Sequence, residues 1–219
     1  VGGPLMKYFF GIALFAIGLA ITGWHGYKWW EESTVVTVDR TAARSVSQHW
    51  NDSNIQESLQ RNTTSEDRTR VSSTQIFRKG EKVGELTIPK LEKIYPVFWG
   101  TDKQTLKNGV GMYASETMKQ PGQLGHTGLA GHRDTVFTGL DDMQPGDRIY
   151  LDFQDIFYEY QIRKTWITDA DDRSVLIEKQ TPTLTLTTCY PFDFIGSAPN
   201  RYIIQAELIG KHVKEESTT

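Results

Sequence analysis

Thr183-Leu-Thr-Leu-Thr-Thr-Cys189-Tyr-Pro-Phe192 ends an alternating run on the only cysteine among 219 residues. Leu184 and Leu186 fall on one face of the run and Thr183, Thr185 and Thr187 on the other, which is the period of two of a half-buried strand. Pro191 stops further ladder pairing, because proline has no N–H to donate. Cys189 is therefore expected at a strand end, where a side chain is held rigidly and still meets a substrate.

Working outward from that sulfur, a loop over residues 190–200 leads to a strand over 201–209. If the two strands are consecutive, antiparallel and paired, the end of one lies beside the start of the other and Arg201 neighbours Cys189. Upstream, Gly125-His-Thr-Gly-Leu-Ala-Gly-His132 reads as a strand ending on a histidine. His132 joins the pair only if that strand's end faces the same way. The trio has a coherent chemistry. A nearby imidazolium or guanidinium favours the reactive thiolate by opposite charge. The histidine can protonate a leaving amine and later deprotonate an incoming nucleophile. The arginine supplies donors and positive charge for the oxyanion formed when a carbonyl is attacked. Acyl transfer through a thioester is the reaction these groups suit, although each alone has a structural reading: a small buried hydrophobe, a hydrogen-bonded loop histidine, half of a salt bridge.

Other segments frame this site. Residues 1–5 precede Met6-Lys7 and read as a cloning remnant. Residues 8–22 carry no charge, and with Gly23 and Trp24 they approach the roughly 20 residues that span a bilayer. Trp24, Tyr27, Trp29 and Trp30 make an interfacial belt, and no Ala-x-Ala cleavage site follows, so residues 6–30 read as a retained membrane anchor rather than a cleaved signal. Lys7 lies before the apolar run and Glu31 and Glu32 after it, which puts the N-terminus in the cytoplasm and the remainder outside.

Residues 31–75 are too polar to fold alone and read as a linker or loosely docked arm. Val46, Trp50 and Leu59 mark one face of a marginal helix there, and Asn62-Thr-Thr64 matches a glycosylation pattern. Strands are expected over 82–88, 91–99 with a break at Pro96, 148–153 and 158–167. A capped helical turn is expected over 101–109, and a short helix around Val175-Leu-Ile177 within the connection 168–182. Many short strands with short helical pieces between them predict a mainly β, closed or nearly closed barrel.

The composition excludes several classes. A net charge of −3 offers no nucleic-acid surface. One cysteine excludes an intrachain disulfide and any CxxC pair. No zinc pattern or phosphate-cradling glycine loop is present. An unpaired thiol in an oxidising compartment asks for a reason, which favours a working cysteine.

Thr-Leu-Thr-Thr-Cys189, Leu129-Ala-Gly-His132 and Ala198-Pro-Asn-Arg201-Tyr-Ile together resemble the signatures of the sortases, cysteine transpeptidases of Gram-positive cell surfaces. The motifs occur in the family's order, and the resemblance covers roughly residues 76–210. Cys189-Tyr-Pro-Phe192 with Ala198-Pro-Asn-Arg-Tyr202 looks most like the class D enzymes of spore-forming bacilli and clostridia. Residues 31–75 hold no proline and 211–219 are hydrophilic, unlike the pilus-building class C, with its lid and second membrane helix. A departure is His126, where many relatives have asparagine.

The resemblance implies an eight-stranded sortase barrel over residues 76–212, with a polar tail over 213–219. His132, Cys189 and Arg201 match the family's catalytic histidine, cysteine and arginine. Also implied are cleavage of an LPxT-type sorting signal after its threonine, a thioacyl enzyme, and transfer to an amine of a peptidoglycan precursor, lipid II. Thr188 and, by analogy, Val175, Leu176 and Ile177 are candidate contacts to the signal, though the last three serve equally as core. Some class A relatives are stimulated by calcium. Asp169, Asp171 and Asp172 are oxygen ligands close in sequence, but without EF-hand spacing they read as a solvated acidic turn, and no cofactor is expected. Two other functions fit the same residues: a thiol hydrolase that gives its acyl group to water, and a non-catalytic β-barrel ectodomain that binds a surface partner.

Overall fold

A computed structural model of the chain describes residues 4–50, 77–193, 196 and 198–213. It comprises two compact units, Val1–Thr34 and Val35–Thr219. The first is a single helix, α1 (Pro4–Ser33). Its segment Tyr8–Glu31 is the one helix among the described residues long and apolar enough to cross a membrane. At about 1.5 Å of rise per residue it extends roughly 36 Å, against a hydrocarbon core of about 30 Å.

In the second unit, β1 (Thr37–Val38) and α2 (Arg40–Trp50) are followed by β2 (Lys82–Ile88), β3 (Lys93–Trp99), α3 (Lys103–Lys107) and β4 (Val110–Met112). Then come β5 (His126–Ala130), β6 (Arg148–Phe153), β7 (Ile156–Asp169), β8 (Thr183–Tyr190) and β9 (Asn200–Val213). The sheet order is β1-β3-β2-β6-β7-β9-β8-β5-β4, and an additional β3–β4 pairing closes β2 to β9 into an eight-stranded barrel. The β3–β4 and β5–β8 pairs are parallel and the others antiparallel.

Local chemistry explains where these elements start and stop. Leu86 and Ile88, Tyr95 and Val97, Leu184 and Leu186 alternate into one buried core, as the period of two requires. Gln154 and Asp155 turn β6 into β7 with φ of 54° and 60°, the left-handed pair that a two-residue hairpin needs. The Asp102 carboxylate caps α3 by accepting from the Gln104 and Thr105 N–H groups.

Two features depart from the expected pattern. Pro96 does not break β3. On one edge β1 covers Lys93 and Ile94 and β4 begins opposite Val97, so Pro96 sits in the gap between them, where a missing N–H is tolerated. β8 is buried on both faces rather than one, with Thr183, Thr185 and Thr187 buried alongside the leucines between them. The threonine hydroxyls on that second face find partners on three different segments: Thr181 of the connection from β7 to β8 for Thr183, His126 of β5 for Thr185, and Tyr113 after β4 for Thr187.

The arm's helix α2 covers Val46 and Trp50, whereas Leu59 and Asn62 lie outside the described residues. Asp39 caps it through the Ala42 N–H at 2.8 Å, and Ala43 is fully buried. Arg40 and Arg44 each hold one oxygen of Glu92 at 2.7 Å. Hydrogen bonding to Arg40 comes first among the effects that keep the Glu92 carboxyl below its ordinary pKa.

Gly84 marks a register shift in β2, and a Cβ there would lie 2.0 Å from the Asp152 carbonyl oxygen. The Gly84 and Asp152 main chains both lie in the paired β2–β6 ladder, which cannot yield as a side chain would. Gly84→Ala is expected to lower the unfolding free energy by about 2 kcal/mol or more, read as a lower denaturant midpoint at unchanged slope.

Candidate active site

β5 runs beside β8 in the same direction, with His126 opposite Thr183 and Ala130 opposite Thr187. Just past β5 the Gly131 N–H donates to the Thr187 carbonyl at 3.2 Å, and the Thr188 hydroxyl donates to the Gly131 carbonyl at 2.8 Å. Carried one residue further, this register brings His132 out at the level of Cys189. On the other side of β8, antiparallel β9 places Arg201 directly opposite Cys189. Parallel pairing of β5 thus meets the condition that the sequence left open. The histidine, cysteine and arginine share one end of three adjacent strands.

Each of the three is held by its own local structure. The His132 carbonyl accepts from the N–H groups of Val136 at 3.1 Å and Phe137 at 2.7 Å, which folds the chain sharply after β5. Gly131 makes room for that turn, since a Cβ there would lie 2.7 Å from the fully buried Phe137 ring. Cys189 is a free, half-buried thiol. It shares its strand parity with Thr185 and Thr187, the face turned away from the leucine core. Immediately after it the Tyr190–Pro191 peptide is cis, and Tyr190, Phe192 and Tyr202 pack together with centroids 5.4–6.3 Å apart. The Arg201 guanidinium donates to the carbonyls of Ala198 at 3.2 Å and Asn200 at 2.9 Å.

Arg201 also lines a cleft of about 370 Å³ with Thr187, Ile203, Tyr113, Val175 and Leu176. Val175 and Leu176, expected as signal contacts or core, are cleft-lining, and Val175 is buried outside the main core cluster. Ile177 is not among the lining residues and is 51% exposed. Thr188 has the parity of Leu184 and Leu186, is buried, and spends its hydroxyl on Gly131. Its neighbour Thr187 is the threonine that lines the cleft, which differs from the placement the motif implied. The reason is parity: Thr187 and Cys189 share a face and Thr188 does not.

Asp169, Asp171 and Asp172 also line the cleft. The Asp169 carboxylate accepts from the Asp171 N–H, and the Asp172 carboxylate accepts from Ser174 and Thr168. These bonds, the Ser174 ones first, hold the Asp172 carboxyl below its ordinary pKa. Among the described residues no group of three or more His, Cys, Asp or Glu side chains is arranged to hold a metal ion.

His126 lies at the opposite end of β5 from His132 and has no solvent exposure. Its Nδ1 is bonded to the Ile177 carbonyl at 2.7 Å and its Nε2 to the Thr185 hydroxyl at 2.6 Å. Burial holds its pKa below the ordinary imidazole value and so favours the neutral ring.

Two residues escaped the sequence reading. Tyr113 follows β4, a three-residue strand containing a glycine, too short for periodicity to reveal. Its hydroxyl meets the Thr187 hydroxyl at 3.2 Å on the cleft floor. Arg133, next to His132, is buried and donates to the Gly196 carbonyl at 2.9 Å, tying the histidine turn to the loop that follows Cys189.

A thiol, an imidazole and a guanidinium at one end of adjacent strands, beside a cleft lined by both charged and apolar side chains, are groups suited to acyl transfer. A family model described as the sortase domain matches residues 86–209. Sortase D of Bacillus subtilis is 33% identical over 205 residues, covering 93% of this chain and all of that one. Among solved structures, the catalytic domain of Bacillus anthracis SrtD matches with 53% identity and a TM-score of 0.56, covering 65% of this chain and 97% of that one. A Clostridium perfringens Sortase D5 transpeptidase matches with 26% identity and a TM-score of 0.56, covering 72% of this chain and 94% of that one. With the barrel, the thiol site and these relatives in agreement, the chain belongs to the sortase family of cysteine transpeptidases.

Proposed function

We propose that this sortase is a membrane-anchored enzyme that cleaves an LPxT-type sorting signal after its threonine and passes the protein to an amine of a peptidoglycan precursor. The observation that carries this reading is the placement of Arg201, which lines a cleft with Val175, Leu176 and Ile203, directly opposite Cys189. A leucine and a proline are the apolar elements of such a signal, and Val175, Leu176 and Ile203 offer surface to them. The α1 helix is the anchor, with Lys7 on the cytoplasmic side and the barrel on the cell-wall side.

In the forward half-reaction the Cys189 sulfur attacks the threonine carbonyl carbon, forming a C–S bond. Arg201 stabilises the oxyanion by charge and N–H donation. As the oxyanion collapses the C–N bond breaks, and His132 delivers its proton to the departing amine. In the second half the acceptor amine attacks the thioester, His132 takes a proton from it, and the C–S bond breaks to return the thiolate. Thiolate, imidazole and guanidinium account for every proton and electron pair, so no cofactor is proposed.

Mass spectrometry of the full chain in detergent, after incubation with LPxTG and LPxTA peptides, is expected to show a thioester adduct on Cys189. Diaminopimelate should convert that adduct to an amine-linked product. Release only to water would favour a thiol hydrolase, and a titratable thiol that forms no adduct would reject the acyl-transfer reading.

Cys189→Ala should abolish the adduct, while His132→Ala and Arg201→Ala should each cut kcat/KM by about 100-fold or more. Leu176→Ala is expected to raise KM for the peptide by about tenfold at nearly unchanged kcat, because it removes about 1.4 kcal/mol of apolar contact common to ground and transition states. Ile177→Ala should change KM little.

A further inference from the structure

The cleft's apolar wall is carried by a connection, and that connection must be held in place. Residues 170–182 join β7 to β8 with one 3₁₀ turn, Arg173–Leu176, capped within the segment by Asp172. At its start the Ala170 N–H donates to Pro199, and just past its end the Thr183 N–H donates to Gly125. Near its ends this backbone is also tied to barrel strands, by the Asp172 N–H to the Asp169 carbonyl, the Thr183 hydroxyl to the Thr181 carbonyl and the Leu208 N–H to the Pro182 carbonyl; across residues 173–180, among the described residues, the tie is the bond from the His126 imidazole to the Ile177 carbonyl. Leu176, one residue before, rests where β5 is bare: its Cδ2 lies 3.1 Å from the place a Cβ on Gly128 would occupy. His126 and Gly128 are two apart on β5 and so present the same face to the connection.

The imidazole is itself oriented. A carbonyl only accepts, so Nδ1 carries the proton and Nε2 accepts from the Thr185 hydroxyl. The Thr185 oxygen in turn accepts from the Gln205 amide at 3.3 Å, and Gln205 is the β9 partner of Thr185. The chain of donors therefore runs from β9 through β8 and β5 to Ile177, each side chain with a partner and the imidazole neutral. His126 stands opposite Thr183, six residues before Cys189 on β8, which is about 20 Å at a strand's rise per residue. It has no part in bond making.

Resting on the reading that this cleft receives the acyl donor, we infer that His126 is a positioning residue for the sorting-signal groove. Its imidazole, aimed by Thr185 and Gln205, pins the Ile177 carbonyl and so sets Val175 and Leu176 against the bound peptide.

The test uses the full chain in detergent and steady-state kinetics with a sorting-signal peptide. His126→Ala is expected to raise KM about tenfold, to leave kcat within about twofold, and to leave alkylation of Cys189 by iodoacetamide unchanged. His126→Asn places an amide N–H near the Nδ1 position and should restore KM to within about threefold of the parent. The KM effects of His126→Ala and Leu176→Ala should not add, because Leu176 contributes only while its segment is held. An unchanged KM in His126→Ala, or a fall in kcat and thiol reactivity along with it, overturns the inference. Should His126→Ala not fold, Thr185→Val removes the orienting hydroxyl at nearly constant volume, and a KM equal to the parent's overturns it in the same way. Failure of the parent chain to acylate at Cys189 would instead remove the groove reading on which the inference rests.

Discussion

Parallel pairing of β5 with β8 is the constraint on which the site depends. Antiparallel neighbours bring the end of one strand to the start of the next, which is how β8 and β9 present Cys189 and Arg201. A histidine at a strand's C-terminal end reaches that same place only if its strand runs parallel to β8. Such pairing needs a long crossover, and here residues 131–182 supply it, carrying the β6–β7 hairpin and the cleft-lining segment on the way. The connection that parallel pairing demands thus also furnishes the wall of the groove.

A second constraint is parity. Along β8 every other side chain enters the leucine core, so Cys189 takes the threonine face with Thr187 and Thr185. That face is buried too, and buried hydroxyls need partners. Thr185 finds His126 and Gln205, Thr187 finds Tyr113 and the Leu129 carbonyl, and Thr188, on the other face, finds Gly131. Threonine suits the strand because its β-branch fills the pleat while its hydroxyl satisfies neighbouring strands. These bonds fix the register of β5 against β8 to the residue, and with it the level at which His132 emerges.

Several elements were plain in the sequence because their causes are local. Alternation marked β8, and residues 82–88 and 148–153 were bounded correctly by Pro89 and by the turn at Gln154 and Asp155. A capped helical turn was expected over 101–109, and Asp102 supplies the cap of α3. Other features had no local cause. β4 is three residues long and exists because β3 and β5 flank it. β9 runs to Val213, past the expected end at Ile209, because β7 continues beside it. Arg133 gives no signal in spacing, since its partner Gly196 lies 63 residues away.

The sequence by itself determined the chemistry available: one thiol at the end of an alternating strand, a histidine and an arginine at the edges of two others, and the motifs that carry the family resemblance. Those facts follow from side-chain type and from periodicities of two, which are properties of short segments. Only the tertiary structure decided that the three groups share one end of adjacent strands, that Thr187 rather than Thr188 lines the cleft, and that His126 bonds to the connection between β7 and β8. These depend on strand direction, register and the burial of a second face, which arise from pairings between residues far apart in the chain. No local pattern encodes them, because the energy that selects them comes from closing the barrel as a whole.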